Sequence, residues 1–156
     1  MASHWPSQRK RKEEGRKNNM KNHGHVFVYG TLKEGGYYSK SFDEERVSAK
    51  PAKLTGATMF DLGHFPGIVI DGVGTVRGEL HLYKEFTDVV RRFDRIEGHR
   101  KRNHDGNLYN KHVVEVETED GEKVKAMVYT LNTHRISVEG REKVEDGTWQ
   151  IDRKEG

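Results

Sequence analysis

Glu97 is a carboxylate on the wrong side of a helix. Thr87 to Gly98 reads as helical, with Thr87 as N-cap, Asp88 in the first turn and Gly98 just past the end. At about 100° per residue from Val89, Val90, Phe93 and Ile96 define an apolar stripe between about 340° and 100°. Arg91, Arg92, Asp94 and Arg95 fall on the opposite arc, and Glu97 falls at about 80°, among the apolar residues. Glu97 also ends the helix, where the dipole disfavours a negative charge, and burial disfavours it further. Both effects raise a carboxyl pKa, which suits general acid/base chemistry near neutral pH. A second arrangement is equally open from the sequence: the helix frays early, and Glu97 turns outward to Arg100 or Lys101.

The second chemical stretch is Tyr29-Gly30-Thr31-Leu32. A buried apolar strand ends at Gly30, which lets main-chain N–H groups come close to a ligand, and Thr31 adds a hydroxyl. Such a turn can receive a carboxylate or an oxyanion. Taken alone, the stretch reads more readily as an ordinary strand exit.

The elements around these residues are mostly short strands. Val26–Tyr29 is a buried run. Residues 33–50 are polar and begin as a loop, and a strand-like segment spans Leu54–Asp61. Phe65-Pro66-Gly67 is a turn into Ile68–Ile70. From Val76 the pattern alternates, with Val76, Gly78, Leu80 and Leu82 on one face and Arg77, Glu79, His81 and Tyr83 on the other, as in a half-buried strand. Residues 99–111 read as a polar loop, and Val113–Glu117 and Val124–Leu131 as a hairpin turned at Glu119-Asp120-Gly121. Several strands with one clear helix, not alternating βαβ units, predict an α+β fold with a curved sheet or barrel.

Composition narrows the class. The 156 residues suffice for one core. Residues 1–24 lack apolar periodicity and read as a disordered basic tail. Within residues 1–23, seven Lys/Arg stand against two Glu, so most of the basicity is in the tail. The net charge is +3 overall, leaving the remainder slightly acidic, and Arg9–Lys12 is a solvated charge run and not a nucleic-acid surface. There is no cysteine, no secretory h-region, and no apolar run near the roughly 20 residues of a membrane span. These features predict a soluble, cytoplasmic protein without nucleic-acid or membrane partners, and set no oligomeric state. Nine histidines form no H-E-x-x-H or compact cluster, so no metal is expected. Gly72, Gly74 and Gly78 do not have dinucleotide-loop spacing, and there is no Gly-x-Ser-x-Gly elbow.

The run Val26-Phe27-Val28-Tyr29-Gly30-Thr31-Leu32-Lys33-Glu34-Gly35 resembles the opening motif of the γ-glutamylcyclotransferase-like superfamily, which includes AIG2-like proteins and γ-glutamylamine cyclotransferases. Phe65-Pro66-Gly67-Ile68, Val76-Arg77-Gly78-Glu79-Leu80 and Phe93-Asp94-Arg95-Ile96-Glu97-Gly98 resemble its later motifs, in order. Tyr109 and Ala126-Met127-Val128-Tyr129 match further positions, and Gly147-Thr148-Trp149 resembles a tail motif of some members.

The resemblance covers a domain at 25–131, followed by a C-terminal extension at 132–156. It implies a small mixed β-barrel flanked by helices, and cyclisation of a γ-glutamyl group to 5-oxoproline with release of an amine or amino acid, without a cofactor. It assigns proton transfer to Glu97. Substrate binding falls to Tyr29, Gly30, Thr31, Leu32, Gly67, Tyr109 and Tyr129. Gly36-Tyr37-Tyr38-Ser39 and Lys111 stand where many members carry Asn-His and Arg, which leaves the released amine open. The competing reading is a protein that binds a small metabolite on the same fold without turning it over.

Overall fold

The apolar run that opens the domain becomes β1 (Gly24–Val28) in the computed structural model, which describes residues 22–30, 39–63, 65–96 and 109–149. It is followed by β2 (Arg46–Thr55), β3 (Thr58–Asp61), β4 (Pro66–Val69), β5 (Thr75–Tyr83), β6 (Tyr109–Thr118) and β7 (Lys123–Leu131). A 3-10 turn at Ser39–Phe42 precedes β2, and the helix α1 (Phe86–Ile96) lies between β5 and β6. Five strands close a barrel in the order β1-β5-β2-β6-β7, and β3 and β4 form a separate pair. The barrel pairings are antiparallel except for the closure, where Val26 of β1 faces Met127 of β7 in parallel. This is the α+β mixed barrel that the sequence predicts.

Closure depends on a close approach at Gly78. A Cβ there would run into the Val28 carbonyl and lie 3.1 Å from the Phe27 ring and from Tyr29 Cα. Glycine thus lets β5 bend tightly against β1. Side chains of β1 then alternate between two cores. Phe27 and Tyr29 pack inside the barrel with Leu54, Val76, Leu80, Val116 and Val128. Val26 and Val28 pack outside it with Phe42, Tyr83, Val89, Phe93 and Tyr129, under α1. The helical wheel holds over the described turns: Val89 and Phe93 are fully buried, Arg91 and Arg95 exposed, and Arg92 and Asp94 half-buried at the two margins of the stripe.

Several boundaries differ from the sequence reading. The segment 54–61 is two strands, because Gly56 turns with φ of 92° between β2 and β3. β2 starts at Arg46, inside the stretch read as loop. Its first half is largely exposed and so shows no apolar alternation, and pairing with β5 holds it extended. β6 likewise starts at Tyr109 because it pairs with β7 from Tyr109↔Leu131 onward. The supposedly solvent-facing side of β5 is buried at His81 and Tyr83, since α1 and the 3-10 turn cover it.

Thr87 is not the N-cap. The helix begins at Phe86, and Asn22, brought alongside by β1, satisfies its first donors. The Asn22 carbonyl accepts the Phe86 N–H at 2.7 Å, and Asn22 Oδ1 accepts the Thr87 N–H and hydroxyl, each at 3.2 Å. Asn22 Nδ2 donates to Glu85 at 3.1 Å. Asn22 and the residues that follow it are therefore part of the folded body, not of a tail, while residues 1–21 lie outside the described residues. Asn22→Ala is expected to lower stability by about 1 kcal/mol, the usual cost of losing a cap. Urea unfolding measures it, and an unchanged midpoint refutes the capping role.

The segment after β7 packs onto the barrel. Val144 and Trp149 join the inner core, and backbone bridges pair Phe60 with Lys143 and Arg77 with Thr148. The Arg77 N–H donates to the Gly147 carbonyl at 2.7 Å, and Gly147 adopts φ of 67°, where a side chain would press on the Thr75 carbonyl. Residues 132–149 thus complete the body of the domain beyond the boundary drawn at 131.

Candidate functional site

β1 delivers Tyr29 and Gly30 to one end of the barrel, where β4, β6 and β7 converge. The Tyr29 hydroxyl donates to the main-chain carbonyl of Tyr129 at 2.5 Å, tying the β1 exit to β7. A Cβ on Gly30 would come within 2.9 Å of Pro66 Cγ and 3.0 Å of Pro66 Cδ, so the strand exit lies directly against the Phe65-Pro66-Gly67 turn. Gly30 is not among the glycines with positive φ, so this steric closeness, not a left-handed backbone, is what requires glycine. Gly67 faces Leu62 and Leu131, with a built Cβ 3.0 Å from Leu62 Cδ1 and 3.2 Å from Leu131 Cδ1. The Tyr109 hydroxyl donates to the Pro66 carbonyl at 2.9 Å, and its ring lies 6.4 Å from that of Phe65.

Tyr129 carries the contact onward to the helix. Its hydroxyl donates to Asp94 Oδ1 at 2.6 Å, and its ring meets Phe93 edge-on at 6.3 Å. Lys111, directly opposite Tyr129 in the β6–β7 register, places Nζ 3.1 Å from Asp94 Oδ2. The two oxygens of this half-buried carboxylate are therefore held by two strands. Lys111, at a position where the family resemblance implies Arg, acts here on the helix. The structure brings together five of the expected site residues, Tyr29, Gly30, Gly67, Tyr109 and Tyr129. Thr31, Leu32 and Glu97 lie outside the described residues.

A second polar chain lies under α1. His81, fully buried, contacts Tyr83 Oη through Nδ1 at 2.7 Å and Glu79 Oε1 through Nε2 at 2.8 Å. One arrangement satisfies all of these atoms: Nε2–H donates to Glu79, and the Tyr83 hydroxyl donates to Nδ1. Burial pushes the Tyr83 phenol up from its ordinary pKa, against the opposing pull of the Arg46 guanidinium, so the ring stays neutral as a donor. Arg46 in turn is bonded to Asp43 at 2.5 Å. His81 and Tyr83 have no exposed surface, and the chain serves to satisfy buried polar groups beneath the helix.

The sequence reading missed both networks. Asp94 fell on the solvent arc of the wheel, yet at about 140° it borders the apolar stripe, where a half-buried partner is possible. Among the described residues, no three His, Asp or Glu side chains are grouped to hold a metal ion. Nor is any described helix long and apolar enough to cross a membrane.

The comparisons with known proteins bear on the fold and the family. Among curated proteins, none matches the chain. Solved structures do. YkqA from Bacillus subtilis superposes with a TM-score of 0.59 at 23% identity, over 81% of this chain and 39% of that one. The chain thus spans well under half of the Bacillus protein. An Arabidopsis thaliana protein solved in solution gives a TM-score of 0.58 at 26% identity, over 83% of this chain and 71% of that one. An AIG2-like protein from Mus musculus gives 0.56 at 20%, over 83% and 89%. At these identities the likeness is one of fold. The sequence profile described as "Gamma-glutamyl cyclotransferase, AIG2-like" matches residues 26–151, a span running from β1 to just past Trp149. With its barrel from Val26 onward, its Tyr29–Gly30 exit and its helix Phe86–Ile96 all inside that span, the chain belongs to the γ-glutamyl cyclotransferase, AIG2-like family.

Proposed function

We propose that this protein cyclises a γ-glutamyl amine or γ-glutamyl amino acid to 5-oxoproline and releases the amine, with Glu97 as the general acid/base. The observation that carries the reading is the bonded cluster of Tyr29, Gly30, Pro66-Gly67, Tyr109 and Tyr129 at the β1 exit, in a chain of this family. A strand exit at Gly30 packed against Pro66, with the Tyr29 and Tyr109 hydroxyls donated to the Tyr129 and Pro66 carbonyls around it, is suited to hold a short chain folded back on itself.

The chemistry is intramolecular. The substrate's α-amine attacks its own γ-carbonyl carbon, a C–N bond forms, and the carbonyl oxygen becomes an oxyanion. Collapse of that tetrahedral species breaks the bond to the leaving nitrogen, which must gain a proton. Holding the chain in the attacking conformation supplies much of the rate. Main-chain N–H groups of the Tyr29–Leu32 turn receive the γ-glutamyl group in this reading. Glu97 takes the proton that the attacking nitrogen loses and returns it to the leaving nitrogen, a role worth about 10²–10⁴-fold.

The test is direct. The protein is incubated with γ-glutamyl-butylamine, γ-glutamyl-alanine and related γ-glutamyl amines and dipeptides, and 5-oxoproline is quantified. Release of 5-oxoproline with stoichiometric amine is expected from at least one of them. Saturable binding of these compounds with no 5-oxoproline from any would refute catalysis and leave the binding reading.

A further inference from the structure

The two halves of the candidate site meet in one residue. Tyr129 accepts the Tyr29 hydroxyl at its main-chain oxygen, 2.5 Å away, and donates its own hydroxyl to Asp94 Oδ1 at 2.6 Å. Tyr29 opens the turn assigned to the γ-glutamyl group, and Asp94 stands three residues before Glu97 in the chain. Lys111 binds the other oxygen of Asp94 at 3.1 Å from the neighbouring strand, in register with Tyr129. The carboxylate is thus fixed in position and in plane by donors on β6 and β7.

This arrangement is more than a surface ion pair. Asp94 and Lys111 are both half-buried, and the Tyr129 ring is buried against Phe93. Charge-assisted bonds of this kind are short and directional. A helix end held at one carboxylate by two strands has little freedom to slide or rotate, and a small misplacement of a proton-transfer group costs about 10²-fold in rate.

We propose that Asp94, clamped by Tyr129 and Lys111, is a positioning residue: it fixes the last turn of α1, three residues before Glu97 in the chain, to β6 and β7 and through Tyr129 to Tyr29. The inference rests on the cyclotransferase reading. In it Tyr129 serves chiefly as the junction between Tyr29 and the helix, and Lys111 serves as a counter-charge of Asp94.

The test is a double-mutant cycle on the full chain, with γ-glutamyl-butylamine and γ-glutamyl-alanine as probes. Asp94→Asn and Tyr129→Phe are each made with Glu97 intact and in the Glu97→Gln background. Tyr129→Phe removes a single oxygen and reads the same bond with the least disturbance to packing. With Glu97 intact, each change is expected to lower kcat by about tenfold to a hundredfold, with KM within about twofold. In the Glu97→Gln background, Asp94→Asn is expected to leave the residual rate unaltered, because residues acting through one group are not additive. Lys111→Arg, which keeps a cation on Asp94, should retain more of the rate than Lys111→Met. An equal loss with and without Glu97, or a rise in KM at constant kcat, overturns the positioning role while leaving the cyclotransferase reading intact. Absence of 5-oxoproline from the wild-type protein overturns both.

Discussion

Glu97→Gln is expected to lower turnover of a γ-glutamyl substrate by at least about 10²-fold while leaving its affinity nearly unchanged. The substitution keeps the size and most of the hydrogen-bonding capacity of the side chain and removes only its titrating proton. If that proton is first taken from the attacking amine and then given to the leaving nitrogen, both steps suffer together. A loss confined to kcat is then the signature of an interaction made only in the transition state. Melting temperature should hold or rise slightly, because a carboxylate near the negative end of a helix is being neutralised. Rates measured by 5-oxoproline release, beside binding by calorimetry, separate the outcomes. Turnover that survives the change assigns the proton transfers to another acid. Altered affinity in a protein that never turns over marks a binder.

How far this could be read from the sequence depended on where each residue gets its order. β1, β5 and the β6–β7 hairpin carry their own signals. An apolar run, a period-two alternation and the Glu119-Asp120-Gly121 turn, with φ of 84° at Gly121, each act within a few residues. The wheel placed Val89 and Phe93 correctly because they face a core that is continuous along α1. The first half of β2 and the start of β6 are polar, and only the pairing partner makes them strands. The cap of α1 was equally invisible, because Asn22 lies 65 residues before Thr87.

The candidate site shows the same division. Tyr29, Gly30, Gly67, Tyr109 and Tyr129 were named from motifs, and the motifs bring them together. What no motif conveyed was the chain of bonds between them. Asp94 looked like a solvent residue because a helical wheel knows nothing of Lys111 and Tyr129 on the opposing hairpin. Glu79, His81 and Tyr83 looked like the wet face of a strand because their mutual hydrogen bonds, which make burial tolerable, follow from α1 lying over them. Apolar pattern reports which faces need a cover. It says little about polar groups that satisfy one another under that cover.

Gly30→Val is the second change with a large expected effect, and its cause is steric. Even a methyl group at this position meets Pro66 Cγ at 2.9 Å and Cδ at 3.0 Å, closer than real side-chain contacts allow. Pro66 cannot easily yield. It is buried, it opens β4, and its carbonyl is held by the Tyr109 hydroxyl at 2.9 Å. The strand exit must therefore move instead, and the turn that begins at Tyr29 moves with it. Overpacking of this kind costs about 1–3 kcal/mol, and displacing a substrate-holding turn by even an ångström costs about 10²-fold in rate. Gly30→Val is thus expected to lower both the melting temperature and 5-oxoproline release, with Gly30→Ala intermediate in each. Because the backbone at Gly30 is not left-handed, relief should come from the neighbour alone. Pro66→Ala deletes both atoms that the new Cβ meets, so Gly30→Ala combined with Pro66→Ala should recover part of the loss relative to the sum of the single changes. Purely additive losses would show that Gly30 is required for something other than its contact with Pro66. Full activity in Gly30→Val would remove the Tyr29–Leu32 turn from the site altogether.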